Sequence, residues 1–397
     1  MTRFKRRLLI GFGVCLVVLA GLGVWFYQVY FASTVTALQR AEAFLFRRMQ
    51  VAQLSQQGEY RFFFITNRRA ERDAGPLEER FGTEREEALK FGFFDVKIEP
   101  SLGLGMIINP TEWFQNEEIK LQTVQALDRA AFVGQVQKLV RESPYRALLV
   151  VVHGFREAFP SALRKTTFLG HVLDINSPVL LFDWPGNQGS SPGGYRRAQR
   201  VAKASGAELA RTLELIIREI QPERLWLIAN SMGAQVAVDA FRLLYEQADL
   251  ADAETEIADV MLTAPDVDFE EFDTRFQQAL KALARKTTIY VSSNDRALVA
   301  SRLLNRGRRR GESTLSPSEL EAAARVVDHD PDSEEVTVVD VTPVNRTRNF
   351  HNFSLETPEF FDDVFLRLTN EETPRSRLIY AVQAPNGTIY WILTRGR

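Results

Sequence analysis

Cysteine is nearly absent from this sequence, which contains one, Cys15, among its 397 residues. A single thiol excludes any disulfide within the chain, which suits a bacterial periplasm as well as a cytosol. The composition is otherwise that of a globular protein, with 45% hydrophobic and 25% charged residues. A chain of this length can bury a substantial hydrophobic core.

An excess of charge of one sign is also lacking, because 49 Lys and Arg residues are balanced by 51 Asp and Glu residues. Proteins that bind nucleic acid usually present an excess of positive charge. We therefore expect no nucleic-acid partner. The basic run between residues 302 and 310 is interpreted as a solvated face.

The N-terminal region combines a basic segment with a long uncharged stretch. Residues 1–7 carry Arg3, Lys5, Arg6 and Arg7, and residues 8–31 are apolar and aromatic. A helix that spans a membrane needs about 20 apolar residues, whereas the apolar part of a cleaved signal peptide has about 7–15. This length predicts a retained transmembrane anchor at 8–31, although 35–37 resembles a cleavage site.

The basic residues before the anchor favour a cytoplasmic N-terminus for residues 1–7. We therefore expect a single-pass protein of the inner membrane with its remaining domain in the periplasm. Residues 32–58 are predicted to continue as a juxtamembrane helix that Gly58 could end.

The body of the chain alternates apolar strands with helical patterns. This alternation predicts an α/β domain at 59–370, with a mostly parallel sheet covered by helices on both faces. At 371–397, Asn386-Gly387 lies between two strand-like runs and predicts a C-terminal β-hairpin appendage.

The most informative stretch is LWLIANSMG at 225–233, a buried strand followed by a helical pattern. A serine at a sharp turn from strand to helix is the nucleophile elbow of α/β-hydrolases. The elbow needs small residues two positions before and two after Ser231, and Ala229 and Gly233 satisfy this requirement. The alternative is that Ser231 is only a helix N-cap.

Histidine is scarce, and a serine nucleophile requires a base that removes its proton. The chain has four histidines. His351 follows the last predicted strand of the sheet and completes the order Ser, Asp, His that the fold uses. We therefore predict that His351 is the base, with a structural histidine as the alternative.

Two aspartates end suitable strands and could orient the base. Asp295 follows the second strand after the serine strand, which is the usual place for the acid, and Asp266 follows the first. Asp295 is the preferred acid and Asp266 the alternative. The aspartate that is not used would cap the next helix.

Acyl transfer also needs N–H donors for the developing oxyanion. The N–H of Met232 follows the nucleophile directly, and the turn His153-Gly154-Phe155 ends a predicted strand nearby. We expect Met232 and Phe155 to donate to the oxyanion, with Gly154 allowing close approach of the backbone.

Several short blocks together resemble the signature of an uncharacterised bacterial α/β-hydrolase family: FFITNR at 63–68, VHGF at 152–155, FDWP at 182–185, ANSMG at 229–233, APDVD at 264–268 and YVSSNDRAL at 290–298. The resemblance extends from about Arg61 to Leu368 and includes His351. It implies the fold and a serine-hydrolase site, but no substrate. Relatives carry histidine where this chain has Asn230, and the change should affect the pocket.

The sequence thus predicts a membrane-anchored serine hydrolase that cleaves an ester or related acyl bond, with His153, Asn230 and Trp184 near the pocket. No metal or organic cofactor is expected, and the substrate is a small or lipid-like acyl compound. Peptide and thioester substrates stay open, as do protein partners. The alternative from another class is an inactive, hydrolase-like binding protein at the membrane.

Overall fold

The fold is described by a computed structural model. It describes the residues 50–55, 58–72, 74–98, 119–247, 257–312, 325–327, 335–347, 351–369, 379–383 and 389–394. The predicted basic segment 1–7 and anchor 8–31 lie outside these residues, as does most of the predicted juxtamembrane helix. Within the described ranges, no helix combines the length and apolarity that a membrane crossing requires.

A single sheet organises the described part of the chain. Its strands are β1 Gln53–Ser55, β2 Glu59–Ala70, β3 Phe81–Ile98, β4 Ile119–Leu127, β5 Ala147–Val152, β6 Val179–Asp183, β7 Arg224–Asn230, β8 Ile257–Thr263, β9 Ala284–Val291, β10 Arg325–Val327, β11 Val336–Asp340, β12 Ile379–Gln383 and β13 Ile389–Leu393. The order across the sheet is β10-β12-β13-β11-β9-β8-β7-β5-β6-β2-β3-β4, with β1 paired to β2.

The sheet is parallel from β2 to β13 in this order and antiparallel at both edges. The central strands are buried on both faces, as the fully buried β5 illustrates. Burial on both faces explains why these strands are continuous apolar runs without alternation. The predicted α/β class with a mostly parallel sheet is confirmed.

Helices cover the two faces of the sheet. They are α1 Arg129–Glu142, α2 Phe159–Leu173, α3 Pro192–Leu215, α4 Gly233–Tyr245, α5 Phe269–Glu271, α6 Gln277–Leu283, α7 Arg296–Asn305, α8 Phe353–Glu356 and α9 Pro358–Thr369. Helices α1, α3, α4 and α6 contribute to the core on one face, and α2, α8 and α9 to the core on the other.

The structure corrects or extends several predicted elements. Gln53–Ser55 is a short strand paired with β2, and not part of the predicted helix at 32–58. Strand β3 begins ten residues earlier than its apolar part indicates, because its charged first half still pairs with β2. The C-terminal hairpin is continuous with the central sheet, since β13 pairs with β11 in parallel.

Candidate active site

Ser231 occupies a strained turn between β7 and α4. Its φ angle is +53°, in the left-handed region that residues with a side chain rarely adopt. Backbone hydrogen bonds to the end of β8 and the loop after it hold the turn. Ser231 N–H donates to Thr263 O at 2.8 Å, and Ser231 O accepts from Asp266 N–H at 3.0 Å. Strain of this kind persists only where the surroundings hold it in place.

The elbow leaves no room for a side chain at Gly233. A Cβ atom there would lie 2.3 Å from His153 O and 2.7 Å from Val152 O. The position two residues before the serine is less restricted, since Ala229 fits fully buried within β7. Crowding against the end of β5 therefore accounts for the small residues that the sequence places here.

We expect Gly233→Ala to lower the free energy of unfolding by about 1–3 kcal/mol, the usual cost of overpacking. The matched control is Gly134→Ala within α1, where a Cβ would meet no atom within 4 Å. Alanine is favoured over glycine inside a helix, so this control should be neutral or stabilising. Urea denaturation of both variants measures the difference, and equal stabilities would contradict this account of the elbow.

His351 lies between the serine and one of the two candidate aspartates. Its Nε2 atom is 2.9 Å from Ser231 Oγ, and its Nδ1 atom is 2.7 Å from Asp295 Oδ2. With Nδ1–H donating to the carboxylate, Nε2 is an acceptor for the serine proton. The structure therefore brings Ser231, His351 and Asp295 into one hydrogen-bonded chain.

Asp295 combines the two roles that the sequence presented as alternatives. Its Oδ1 atom accepts from Leu298 N–H at 3.0 Å and caps α7, while Oδ2 faces His351. The side chain is 1% exposed. Capping fixes the carboxylate, so the imidazole meets an acceptor that is already oriented.

The charge of Asp295 changes the protonation of the histidine. Burial alone would lower the pKa of His351, but the adjacent Asp295 carboxylate reverses this effect and raises the pKa above its ordinary value. Asp266 acts in the same direction and Lys165 in the opposite one.

Asp266, the alternative acid, bonds to other groups. Its carboxylate accepts from Tyr195 Oη at 2.6 Å, from Ser301 Oγ at 2.6 Å and from Arg309 Nε at 2.7 Å. Asp295 and not Asp266 is therefore the carboxylate in contact with His351. The basic run also needs correction, because Arg309 is 4% exposed and not part of a solvated face.

The turn after β5 lies directly against the elbow. A Cβ atom at Gly154 would lie 3.1 Å from Ser231 Cβ and 3.2 Å from Asn230 O. Met232 immediately precedes α4, where backbone N–H groups have no acceptor within the helix. Gly154 and Met232 thus lie on two sides of Ser231, and the helix dipole favours negative charge at this point.

His153 and Trp184 support this turn. His153 Nδ1–H donates to Gly154 O at 2.9 Å, Trp184 Nε1–H donates to His153 O at 2.8 Å, and the two rings stack with centroids 5.6 Å apart. His153 also contacts Asp183. Burial alone would raise the pKa of Asp183, but Arg68 and His153 together outweigh this effect and hold the pKa below its usual range. Trp184 is fully buried, so the expectation that it lines the pocket needs correction.

Asn230 links the elbow to the segment that carries the histidine. Its Oδ1 atom accepts from Thr263 Oγ1 at 2.9 Å and from Ser354 Oγ at 3.3 Å. The amide is partly exposed, and its Nδ2 atom faces the Gly154 turn. Of the three residues expected near the pocket, Asn230 alone is more than slightly exposed.

Sequence analysis did not identify the contacts that align the loops after β9 and β11. Ser293 N–H donates to Thr342 Oγ1 at 2.9 Å, and Asn345 Nδ2 donates to Ser292 Oγ at 3.0 Å. These bonds join the loop that ends at Asp295 to the loop that leads to His351. No local sequence pattern predicts such pairs, because their partners are about 50 residues apart.

The fold and the site define an α/β-hydrolase. Residues 128–364 match a family model described as an alpha/beta hydrolase of unknown function, DUF900. The match covers more than half of the chain, which therefore belongs to this family. No curated protein matches the sequence.

Several solved structures resemble the chain weakly. A protein described as a hydrolase from Agrobacterium vitis S4 is 12% identical, with a TM-score of 0.32, and the match covers 72% of this chain and 95% of that one. A protein described as a cell surface hydrolase from Lactobacillus plantarum is 10% identical, with a TM-score of 0.30 and coverages of 56% and 90%. A lipase-esterase related protein from Clostridium acetobutylicum is 12% identical, with a TM-score of 0.29 and coverages of 56% and 93%. The family assignment depends on the sequence match alone.

Proposed function

We propose that this protein is a serine hydrolase that cleaves an ester or related acyl bond through an acyl-enzyme. The observation that carries the proposal is the position of His351, with Nε2 at 2.9 Å from Ser231 Oγ and Nδ1 at 2.7 Å from Asp295 Oδ2. Both distances allow hydrogen bonds, and a bonded nucleophile and base are the signature of nucleophilic catalysis.

In the proposed first half-reaction, His351 Nε2 accepts the Ser231 proton while Oγ attacks the acyl carbonyl carbon. The carbonyl π electrons move to oxygen, and the N–H groups of Met232 and Phe155 stabilise the oxyanion. When the tetrahedral intermediate collapses, the bond to the leaving group breaks, and the His351 imidazolium protonates that group.

In the second half-reaction, water attacks the acyl-enzyme. His351 accepts a proton from this water, and Ser231 Oγ leaves as the intermediate collapses and recovers that proton. Asp295 keeps Nδ1 protonated in both steps and stabilises the imidazolium, as in other serine triads. The products are a carboxylic acid and the free leaving group.

A fluorophosphonate probe tests this proposal, because it reacts with activated serines. We expect the folded full chain to be labelled and peptide mapping by mass spectrometry to place the adduct on Ser231. Heat-denatured protein is the control and should not be labelled. Absence of labelling in folded protein would contradict the proposal and favour the inactive binding protein.

The raised pKa of His351 predicts the pH dependence of this labelling. Only the neutral imidazole can accept the serine proton, so the rate should rise with pH through a midpoint above about 6.5, the ordinary value for histidine. Asp362 titrates in the same pH range, because burial, Glu359 and Asp363 raise its pKa to about 7. A variant without this carboxylate is therefore the control. Asp362→Asn should leave the midpoint unchanged, and a midpoint below about 6.5 would contradict the prediction.

We also propose that residues 8–31 anchor the hydrolase in the inner membrane, with the domain in the periplasm. The length of the apolar stretch and the basic residues before it support this proposal. A membrane location makes an amphiphilic acyl ester a reasonable substrate. The full chain should stay in the membrane fraction after alkaline carbonate washing, and release into the supernatant would contradict anchoring.

A further inference from the structure

A buried polar cluster lies behind the nucleophile elbow, with the carboxylate of Asp266 at its centre. Tyr195, Ser301 and Arg309 all donate to this carboxylate, at 2.6, 2.6 and 2.7 Å. Arg309 also donates through Nη2 to Asp266 O at 2.7 Å. All four residues are at most 9% exposed. The cluster thus contains a buried ion pair, which is costly to break by removing one partner.

Two further donors fix the tyrosine within this cluster. Gln199 Nε2 and Asn305 Nδ2 each donate to Tyr195 Oη at 3.1 Å. Burial and the neighbouring Asp266 carboxylate raise the pKa of Tyr195, so its hydroxyl stays protonated and donates to Asp266. The hydroxyl is therefore held between one carboxylate acceptor and two amide donors.

The cluster reaches the site in three places without contacting the reacting atoms. Asp266 N–H donates to Ser231 O at 3.0 Å and holds the strained elbow. The Tyr195 ring packs edge-on against Phe155, with centroids 5.6 Å apart. Ser301 lies on α7, the helix that Asp295 caps.

We propose that Asp266 and Tyr195 are positioning residues. They hold Ser231, the turn after β5 and helix α7 in fixed positions relative to one another. This inference rests on the proposed function, because the relative positions of these parts matter only if they act together in catalysis. Misplacement of a reacting group by about 1 Å can cost about 100-fold in rate. The cluster explains why an aspartate that does not contact His351 occupies the end of β8.

Tyr195→Phe tests the proposal against a matched control, Tyr290→Phe. Each substitution removes a buried hydrogen bond from tyrosine to aspartate, since Tyr290 Oη donates to Asp363 at 2.7 Å. Tyr195→Phe also removes the acceptor of the Gln199 and Asn305 amides. Tyr290 packs against Phe360 in the core on the opposite face of the sheet. We expect both variants to lose thermal stability, but only Tyr195→Phe to show a kcat about 10–100-fold lower, with KM within twofold of the wild type.

The pH profile provides a readout that a purely structural role would not move. The Asp266 carboxylate contributes to the raised pKa of His351, together with Asp295 and against Lys165. Asp266→Asn should therefore move the acid limb of labelling at Ser231 to lower pH, whereas Asp363→Asn should leave it in place.

If Tyr195→Phe does not fold, Ser301→Ala removes one donor to Asp266 and should lower kcat in the same way.

The outcomes separate this inference from the proposed function. If the wild-type protein is not labelled at Ser231, both are wrong. If it is labelled, but Tyr195→Phe or Ser301→Ala turns over esters as Tyr290→Phe does, only the positioning role is wrong. A wild-type kcat in Asp266→Asn would also contradict the positioning role of Asp266, and an unchanged acid limb would contradict its effect on the pKa of His351.

Discussion

Ser231→Ala is expected to lower kcat for acyl-ester hydrolysis by about 10⁶-fold, the loss seen when the nucleophile of a serine triad is removed. The methyl group cannot attack a carbonyl carbon, and the substitution removes the hydroxyl that lies 2.9 Å from His351 Nε2. Alanine keeps the Cβ atom, so the strain at φ +53° is the same in both proteins. The loss should therefore occur without a large change in thermal stability.

Steady-state hydrolysis of acyl esters of graded chain length measures this prediction, with thioesters and peptides tested alongside. Ser205→Ala is the control, because Ser205 is also fully buried and lies on α3, where it bonds to Asn67. It should keep wild-type turnover. Residual activity of Ser231→Ala within tenfold of the wild type would show that another group carries the reaction.

Asp295→Asn is expected to lower kcat by about 10⁴-fold, the cost of the wrong histidine tautomer in a serine triad. An amide at this position can donate to Nδ1, which then leaves Nε2 protonated and unable to accept the serine proton. Asparagine caps a helix about as well as aspartate, so α7 should still begin at Arg296. The substitution therefore separates the orienting role of Asp295 from its capping role.

The comparison with Asp266→Asn decides between the two carboxylates. Asp266 contacts Tyr195, Ser301 and Arg309, so its loss should affect kcat by about 100-fold at most through misplacement. Kinetics and thermal unfolding of both variants make the comparison. A larger kinetic loss in Asp266→Asn than in Asp295→Asn would reverse the assignment of the acid.

Local sequence predicted the central strands well and the edge that contains β3 poorly. A run such as β5 needs no knowledge of its neighbours, since six consecutive apolar residues that end at a turn are typical of a strand buried on both faces. The first half of β3 carries exposed charged residues and has no such pattern. It is a strand because β2 supplies hydrogen-bond partners, and a single-sequence pattern does not contain that information.

The basic run near residue 309 shows a similar limit. Charged residues in a row are usually solvated, and nothing local indicates that Arg309 is buried. Its environment depends on Asp266, 43 residues earlier, which offers a buried carboxylate to a cation. The same bond occupies Asp266 and so leaves Asp295 to His351.

The sequence by itself determined the α/β class, the turn that presents Ser231, and the chain order of serine, aspartate and histidine. These features follow from short-range patterns, because strand burial and the small residues of a tight turn are local requirements. The tertiary structure alone decided which aspartate contacts His351, and it buried Trp184 and Arg309. Those outcomes depend on contacts between segments far apart in the chain, where side-chain packing and charge pairing select among candidates that the sequence leaves open.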